Sequence, residues 1–322
     1  MPKKIAVIGL GYWGSNLVRN FKELGALKAV CDSNAENLEK IAQKHQITKK
    51  FHDVKDVFAS PDINAVVIAT PAATHHQLCL EAISAGKDVF VEKPVSLTLP
   101  QAEDLASCLG SSQKIFMVDH LLLYHPAVLK LKEIIDNGKL GKLQYIYSNR
   151  LNIGKLRNEE NILWSFAPHD ISVILHLTGR APAMVRAFGE AYVQERVYDT
   201  TVTDLTFSDK LKAHIFVSWL HPFKEQKLVA IGNYGMAVFN DLEEEAKLTF
   251  YPHRVEWIKQ IPVANKAEKE VIAVDKKEPL KEACRHFLDC LETRKNPVTD
   301  INEAMSVLDV LEKAQKDLEG AA

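Results

Sequence analysis

Cysteine is scarce in this chain and never paired. Cys31, Cys79, Cys108, Cys284 and Cys290 make five, and no two stand in a C-x-x-C arrangement. An odd number at irregular spacing excludes a disulfide framework or a zinc ribbon and points to a reducing compartment, the cytoplasm. Long hydrophobic runs are missing too: no uncharged apolar stretch reaches the ~18 residues a spanning helix needs. The apolar run behind Met1-Pro2-Lys3-Lys4 is too short for a secretory leader. Charge of one sign is also lacking, with 40 Lys+Arg against 42 Asp+Glu. Neither nucleic acid nor a membrane surface is therefore expected as partner. There is no internal repeat and no low-complexity tract. What remains is ordinary globular composition, 47% hydrophobic and 25% charged over 322 residues, a length that suggests two domains at about 150 residues each.

The first third alternates short β-branched runs with segments of helical period. Ile5–Ile8, Leu27–Val30, Ala65–Ile68, Val89–Val91 and Ile115–Val118 lack polar alternation, as strands buried on both faces do. Between them Trp13–Leu24, Asn34–Lys44, His75–Ala85 and Pro100–Leu109 read as helices. This rhythm predicts a doubly wound parallel sheet of Rossmann type over residues 1–119. After Asp119 it changes. A helix over Pro126–Asn137, an alternating stretch Gly141–Asn149 and a helix over His169–Leu177 precede strand-like segments with unlike faces, among them Val202–Phe207 and Ala213–Trp219. Two helices, Pro279–Thr293 and Ile301–Leu318, close the chain, the second with Asp300 as N-cap and Glu303 as its capping-box partner. The expected fold is α/β, with the Rossmann domain followed by an α+β domain over residues 120–322. That second domain carries a large, mostly antiparallel sheet for substrate binding and oligomerisation, and the closing helices have room to pack back on the first domain.

Gly9-Leu10-Gly11-Tyr12-Trp13-Gly14 sits where the first strand gives way to the first helix. Gly9 permits the tight turn, Gly11 lets a pyrophosphate approach the backbone, and Gly14 allows the helix to press on the strand. Free N–H groups at the helix start then face the phosphates. Asp32 lies eighteen residues beyond Gly14, directly after the second strand. Its carboxylate suits the ribose hydroxyls and repels a 2′-phosphate; Ser33 follows it, and no arginine stands close by. NAD is preferred to NADP.

Ala69-Thr70-Pro71 with His75, and Glu92-Lys93-Pro94, each follow a strand. With the glycine fingerprint they resemble the Gfo/Idh/MocA family of sugar oxidoreductases over nearly the whole chain. Asp119–Ala127, Asn149–Gly154 and Leu163–Asp170 are similar to the branch acting on UDP-activated amino sugars. The resemblance implies NAD-dependent oxidation of the 3-hydroxyl of such a sugar, UDP-N-acetylglucosamine, to a ketone. An aminotransferase would take that ketone toward lipid A or another surface glycan, and a homodimer or homotetramer is implied. The resemblance and the residues together assign Gly9, Gly11, Tyr12, Trp13, Gly14, Asp32, Ser33, Thr70, Pro71, His75, Glu92 and Lys93 to the cofactor. UDP-N-acetylglucosaminuronate and a free polyol of inositol type stay open as substrates, and a non-enzymatic dinucleotide-binding regulator as a further reading.

Alcohol oxidation needs a hydride acceptor beside the carbon and a base for the hydroxyl proton. Lys93, at a strand's ligand end, and His169, whose imidazole titrates near neutrality, are the candidates, with His169 as base and Lys93 as anchor or the reverse. Many relatives carry aspartate where this chain has Ser165, which cannot stabilise an imidazolium by charge. Asp170 is a possible compensation. Tyr124, Asn149, Arg150, Asn152, Arg157 and Trp164, with Lys93 and His169, are the substrate-binding candidates. The guanidinium of Arg150 or Arg157 suits a diphosphate. Each also has an ordinary reading, as surface charge for the arginines and core filling for Tyr124. The paired histidines His75-His76 and His120/His125 lack a metal-ligand pattern, so no metal is expected.

Overall fold

The computed structural model describes residues 4–154, 156–158 and 160–320; the Met1–Lys3 start lies outside them. The chain divides into two compact units, one of residues through 124 rejoined by 277–308, the other of 125–276 and 309 onward.

In the first unit β1 (Ile5–Ile8), α1 (Tyr12–Glu23), β2 (Leu27–Cys31), α2 (Ala35–Lys44), β3 (Lys50–Phe51) and α3 (Val54–Ala59) form one half. The other half comprises β4 (Ala65–Ile68), α4 (His75–Ser84), β5 (Asp88–Val91), α5 (Leu99–Ser112) and β6 (Phe116–Val118). The six strands run parallel in the order β3-β2-β1-β4-β5-β6, so the order reverses at β1/β4, where such sheets open a ligand crevice. Strands β1, β4, β5 and β6 are buried at every residue, which is why their sequences show no polar alternation. The short β3 and α3 are absent from the sequence reading. Two residues of strand carry no period, and Asp53 caps α3 through the Lys55 N–H at 2.9 Å.

In the second unit α6 (Pro126–Asp136), β7 (Leu143–Leu151) and α7 (Ile162–Thr178) come first. Strands β8 (Met184–Glu190), β9 (Thr200–Thr206), β10 (Lys212–Ser218), β11 (Glu225–Gly232), β12 (Met236–Asn240) and β13 (Leu248–Tyr251) follow. The hairpin β14 (Arg254–Ile258) and β15 (Ile261–Asn265) then leads to β16 (Glu270–Ile272). Eight strands form one sheet, β16-β13-β12-β11-β7-β10-β9-β8, antiparallel throughout except where β10 lies parallel to β7. On β10, Ala213, Ile215 and Val217 are buried while Lys212, His214 and Phe216 are more open. That alternation is what a sheet covered on one face requires.

Helix α8 (Pro279–Thr293) belongs to the first unit, and α9 (Ile301–Gly320) is divided between the units at 308/309. The reason α8 returns to the Rossmann sheet is aromatic. Phe287 meets Phe90 of β5 and Phe21 of α1 edge-on, with ring centroids 5.5 and 6.4 Å apart, and all three are fully buried. Such contacts are favourable beyond their burial.

Two local expectations need correction. The helix read as His169–Leu177 begins at Ile162, with Asn161 accepting the Trp164 N–H at 3.2 Å as its N-cap. Pro168, which argues against a helix in sequence, lies inside it. At α9, Asp300 Oδ1 accepts the Asn302 and Glu303 N–H groups as expected. The Glu303 carboxylate, however, turns to His120 Nδ1 at 2.6 Å instead of closing the capping box.

Candidate active site

The first unit builds a dinucleotide cradle at the carboxyl ends of its strands. Gly9 has φ +84°, and a Cβ there would stand 2.7 Å from the Ala69 carbonyl oxygen. At Gly14 a Cβ would fall 1.9 Å from the Gly9 carbonyl oxygen, so the first turn of α1 lies directly on the glycine turn. Gly11 is different: nothing lies within 4 Å of where its Cβ would be, so the space beside it is open for a phosphate. Tyr12 at the start of α1 is exposed, and Trp13 partly so.

Asp32 closes the other side of the turn. Its Oδ2 accepts the Leu10 N–H (2.8 Å) and Asn37 Nδ2 (2.9 Å), and its Oδ1 accepts the Asn34 N–H (2.8 Å). These bonds orient the carboxylate and leave acceptor capacity on both oxygens. Asn34, and not Asp32, caps α2 through the Asn37 N–H. Ser33 beside it is exposed. An open phosphate approach and an oriented, half-exposed carboxylate fit NAD.

The loops after β4 and β5 are tied together by His75. Its Nδ1 lies 2.8 Å from the Pro94 carbonyl oxygen and its Nε2 2.8 Å from that of Thr70. Burial pushes the imidazole pKa down against the pull of those two carbonyls. Expected among the cofactor ligands, His75 is buried and staples the Thr70-Pro71 and Glu92-Lys93-Pro94 loops to each other. The Thr70 hydroxyl lies 2.7 Å from that of Thr74, and Pro71 is exposed.

Lys93 leaves β5 half-buried, and beneath it lies a feature the sequence reading did not anticipate. Glu92 and Asp119 are both buried and follow the paired ends of β5 and β6. Burial pushes the Glu92 carboxyl up to about 7, opposed by Lys93, and burial together with Glu92 raises Asp119 well above the carboxylate range. The native state thus binds protons here that the unfolded chain, with glutamate near 4.5, gives up. The stability that follows is fully present below that value and falls as pH rises through about 7. The decline is expected to amount to on the order of 2–3 kcal/mol. Urea midpoints measured across this window should fall with pH in the native protein and fall less steeply in Glu92→Gln, where only the buried Asp119 carboxyl still titrates.

Tyr124, a substrate-binding candidate, is turned into the interior. Thr299 donates to the Val118 carbonyl oxygen (2.6 Å), so the Tyr124 hydroxyl, 2.9 Å from Thr299 Oγ1, is the donor in that contact. The ring is buried against His286 with centroids 5.1 Å apart. Tyr124 is core.

The second unit holds the remaining candidates. His169 lies one turn beyond Ser165 on α7 and is partly exposed. Asp170 points elsewhere: its carboxylate accepts Ser148 Oγ (2.5 Å), Arg150 Nε (2.7 Å) and Arg150 Nη2 (3.3 Å), all from β7. Asp170 therefore does not stand in for the aspartate replaced by Ser165. Arg150 is held in the same buried pair, so the guanidinium expected for a diphosphate instead ties β7 to α7. Alternation along β7 could have signalled this, since Ile146, Ser148 and Arg150 share its buried face.

Asn149 Nδ2 donates to Glu225 at 2.8 Å. Arg157 is exposed and pairs with Glu160 at 2.9 Å. Trp164 Nε1 donates to Gln315 Oε1 at 3.1 Å. Asn152 stands out because its Oδ1 is buried with no hydrogen-bond donor, an acceptor available to a ligand. Among the described residues no group of three or more His, Cys, Asp or Glu is arranged to hold a metal ion. No helix among them is long and apolar enough to cross a membrane.

A dinucleotide cradle with a lysine at the ligand end of its sheet fits the class of nicotinamide-dependent oxidoreductases. Comparison with known proteins gives its relationship. Residues 3–120 match the oxidoreductase family with NAD-binding Rossmann fold, and residues 128–238 match the GFO/IDH/MocA C-terminal domain. The chain belongs to the Gfo/Idh/MocA family, and its cofactor is NAD. It is 27% identical over 216 residues to UDP-N-acetylglucosamine 3-dehydrogenase of Acidithiobacillus ferrooxidans, 67% of this chain and 66% of that one. It is 25% identical over 322 residues to scyllo-inositol 2-dehydrogenase (NAD(+)) of Bacillus subtilis, covering 94% and 91% of the two. The solved A. ferrooxidans enzyme superposes with a TM-score of 0.86 at 22% identity, covering 98% of each chain. That superposition is a likeness of fold.

Proposed function

We propose that this oxidoreductase converts the 3-hydroxyl of a UDP-activated amino sugar, UDP-N-acetylglucosamine, to the 3-keto sugar. The observation that carries the reading is an amine at the ligand end of β5, Lys93, in a chain whose α7 offers the imidazole of His169. NAD⁺, when bound, supplies the hydride acceptor. Lys93 holds the reacting oxygen by a charge-assisted hydrogen bond, and His169 accepts the hydroxyl proton, a role for which imidazole is the suited side chain near neutral pH. Asn152, through its donorless Oδ1, hydrogen-bonds a sugar hydroxyl or amide. The exposed Arg157 exchanges its Glu160 partner for the diphosphate. The amino-sugar substrate is supported by the sequence relationship to the A. ferrooxidans enzyme. The product, a ketone beside a sugar amide, is what an aminotransferase consumes.

Oxidation of a free polyol is the second reading, favoured by the nearly full-length match to the inositol enzyme. NADH absorbance separates the two, with UDP-N-acetylglucosamine, its uronate or myo-inositol offered in the presence of a ketone trap. We expect turnover with UDP-N-acetylglucosamine and none with myo-inositol; the opposite pattern selects the polyol. Lys93→Met and His169→Asn should each slow single-turnover hydride transfer on the order of a hundredfold or more. Unchanged rates in both would remove these residues from the chemistry.

The more open face of the eight-stranded sheet carries Tyr147, Phe216, Val202 and Phe188, with Phe188 59% exposed. An aromatic face of this kind needs a cover, and we propose a second copy of the chain. Sedimentation should give a dimer or tetramer, and Phe188→Glu should shift it toward monomer. A monomer in the native protein would overturn this.

A further inference from the structure

Glu92 and Asp119 leave adjacent parallel strands side by side, since Val91 pairs with Val118 and each carboxyl residue comes next. Glu92 Oε1 and both Asp119 oxygens are buried and accept no hydrogen bond from any described protein group. Carboxylates only accept, so a proton held by one of them is the donor that satisfies the other. Among the described residues, the charged and titratable groups that act on them, or on which they act, belong to the first unit. They are Lys93 in the same loop, His120 with its Glu303 partner, the Tyr124 hydroxyl and the Cys284 thiol of α8.

Buried charges persist when they are balanced. The Glu303 carboxylate has its own partner in His120 Nδ1, 2.6 Å away. Lys93 contributes one positive charge, which one carboxylate offsets; a second carboxylate would leave a net negative charge out of water. One proton on the pair makes the buried group neutral. A further positive charge arriving nearby changes that balance and favours ionisation of the second carboxyl. The oxidised cofactor carries such a charge on its nicotinamide ring, and the reduced cofactor does not. Asp32 fixes the ribose end at β2, so the other end of a dinucleotide crossing the crevice runs toward β4, β5 and β6.

We propose that Glu92 and Asp119 share one proton in the free and NADH-bound protein and release it to solvent when NAD⁺ binds. One O–H bond breaks at the pair, the proton goes to bulk buffer, and nothing is oxidised or reduced in that step. When the substrate alcohol is oxidised, its carbon gives up a hydride and its hydroxyl a proton. The hydroxyl proton goes to His169, and with the ring charge gone the pair takes back one proton from solvent. The pair is thus a charge-compensating proton store for the reaction, and its two members act on the chemistry through Lys93 and the cofactor as positioning residues.

Calorimetric titration near neutral pH, repeated in buffers of different ionisation enthalpy, counts the protons exchanged. No sugar is present, so the result does not depend on the substrate assignment. NAD⁺ is expected to release roughly 0.3–1 proton per site and NADH close to none. Glu92→Gln and Asp119→Asn should each bring the NAD⁺ value near zero while still binding the cofactor. Equal proton counts for NAD⁺ and NADH, or an undiminished release in variants that bind NAD⁺, would overturn the proposal. If neither variant folds, the comparison of the two cofactors on the native protein decides it alone.

Discussion

Gly14→Ala is expected to weaken NAD⁺ binding by at least about a hundredfold and to lower the melting temperature by about 5–10 °C. The added carbon would fall 1.9 Å from the Gly9 carbonyl oxygen and 2.9 Å from its carbon. Both are backbone atoms, so no side-chain rotation relieves the overlap. Gly9 cannot yield either, since its own position is fixed against the Ala69 carbonyl at φ +84°. The first turn of α1 must therefore move off β1, a forced repacking of about 3 kcal/mol or more. Its N–H groups would then leave the place where a pyrophosphate is held. Gly11→Ala is the informative control. Gly11 has φ −63° and open space where a Cβ would go. The melting temperature should stay unchanged while NAD⁺ affinity falls, because the alanine methyl occupies the phosphate's approach. Equal loss of stability in the two variants would mean the open space at Gly11 is not a phosphate path. Differential scanning fluorimetry with and without NAD⁺ reads both effects.

The Rossmann half was legible because its signals are local. Fully buried parallel strands announce themselves as unbroken β-branched runs, and the glycine spacing has a steric cause that the structure reproduces at Gly9 and Gly14. The Asp32 carboxylate also lies where the spacing put it. What escaped reading depended on partners distant in sequence. Arg150 and Asp170 are ordinary polar residues until β7 and α7 bring them together, and an arginine in a polar-looking stretch reads as a ligand group. Tyr124 meets Thr299 across 175 residues, and no pattern around either announces it. Pro168 hid the first half of α7: a proline normally ends a helix at the preceding residue, and only the Asn161 cap marked the true start. The Glu92–Asp119 pair was invisible for the same reason, since adjacency arises from strand register and not from sequence.

Arg150→Met is expected to cost about 3–5 kcal/mol of stability in the second unit, a large share of what a domain possesses. The Asp170 carboxylate is buried, and with the guanidinium gone the Ser148 hydroxyl is what remains of its donors among the described residues. A charge left in that state either persists unpaired or takes up a proton, and both states are less stable than the native pair. Arg150→Lys should recover only part of the loss. An ammonium cannot reproduce the two-pronged contact that Nε and Nη2 make with separate carboxylate oxygens at 2.7 and 3.3 Å. Removing both charges is a different matter: Arg150→Met with Asp170→Leu leaves no buried ion and should regain most of the stability, because the desolvation cost of both groups disappears with them. The sequence left Arg150 or Arg157 as candidates for the sugar diphosphate, and that role for Arg150 makes the opposite forecast. A diphosphate ligand, when lost, raises KM and leaves the unfolding midpoint alone. Denaturant unfolding of the single and double variants, set beside KM for the double variant, separates the roles. A double variant that folds normally yet binds the nucleotide sugar hundreds of times more weakly would return Arg150 to the substrate. One that folds and binds normally assigns it to the β7–α7 junction, where its geometry places it.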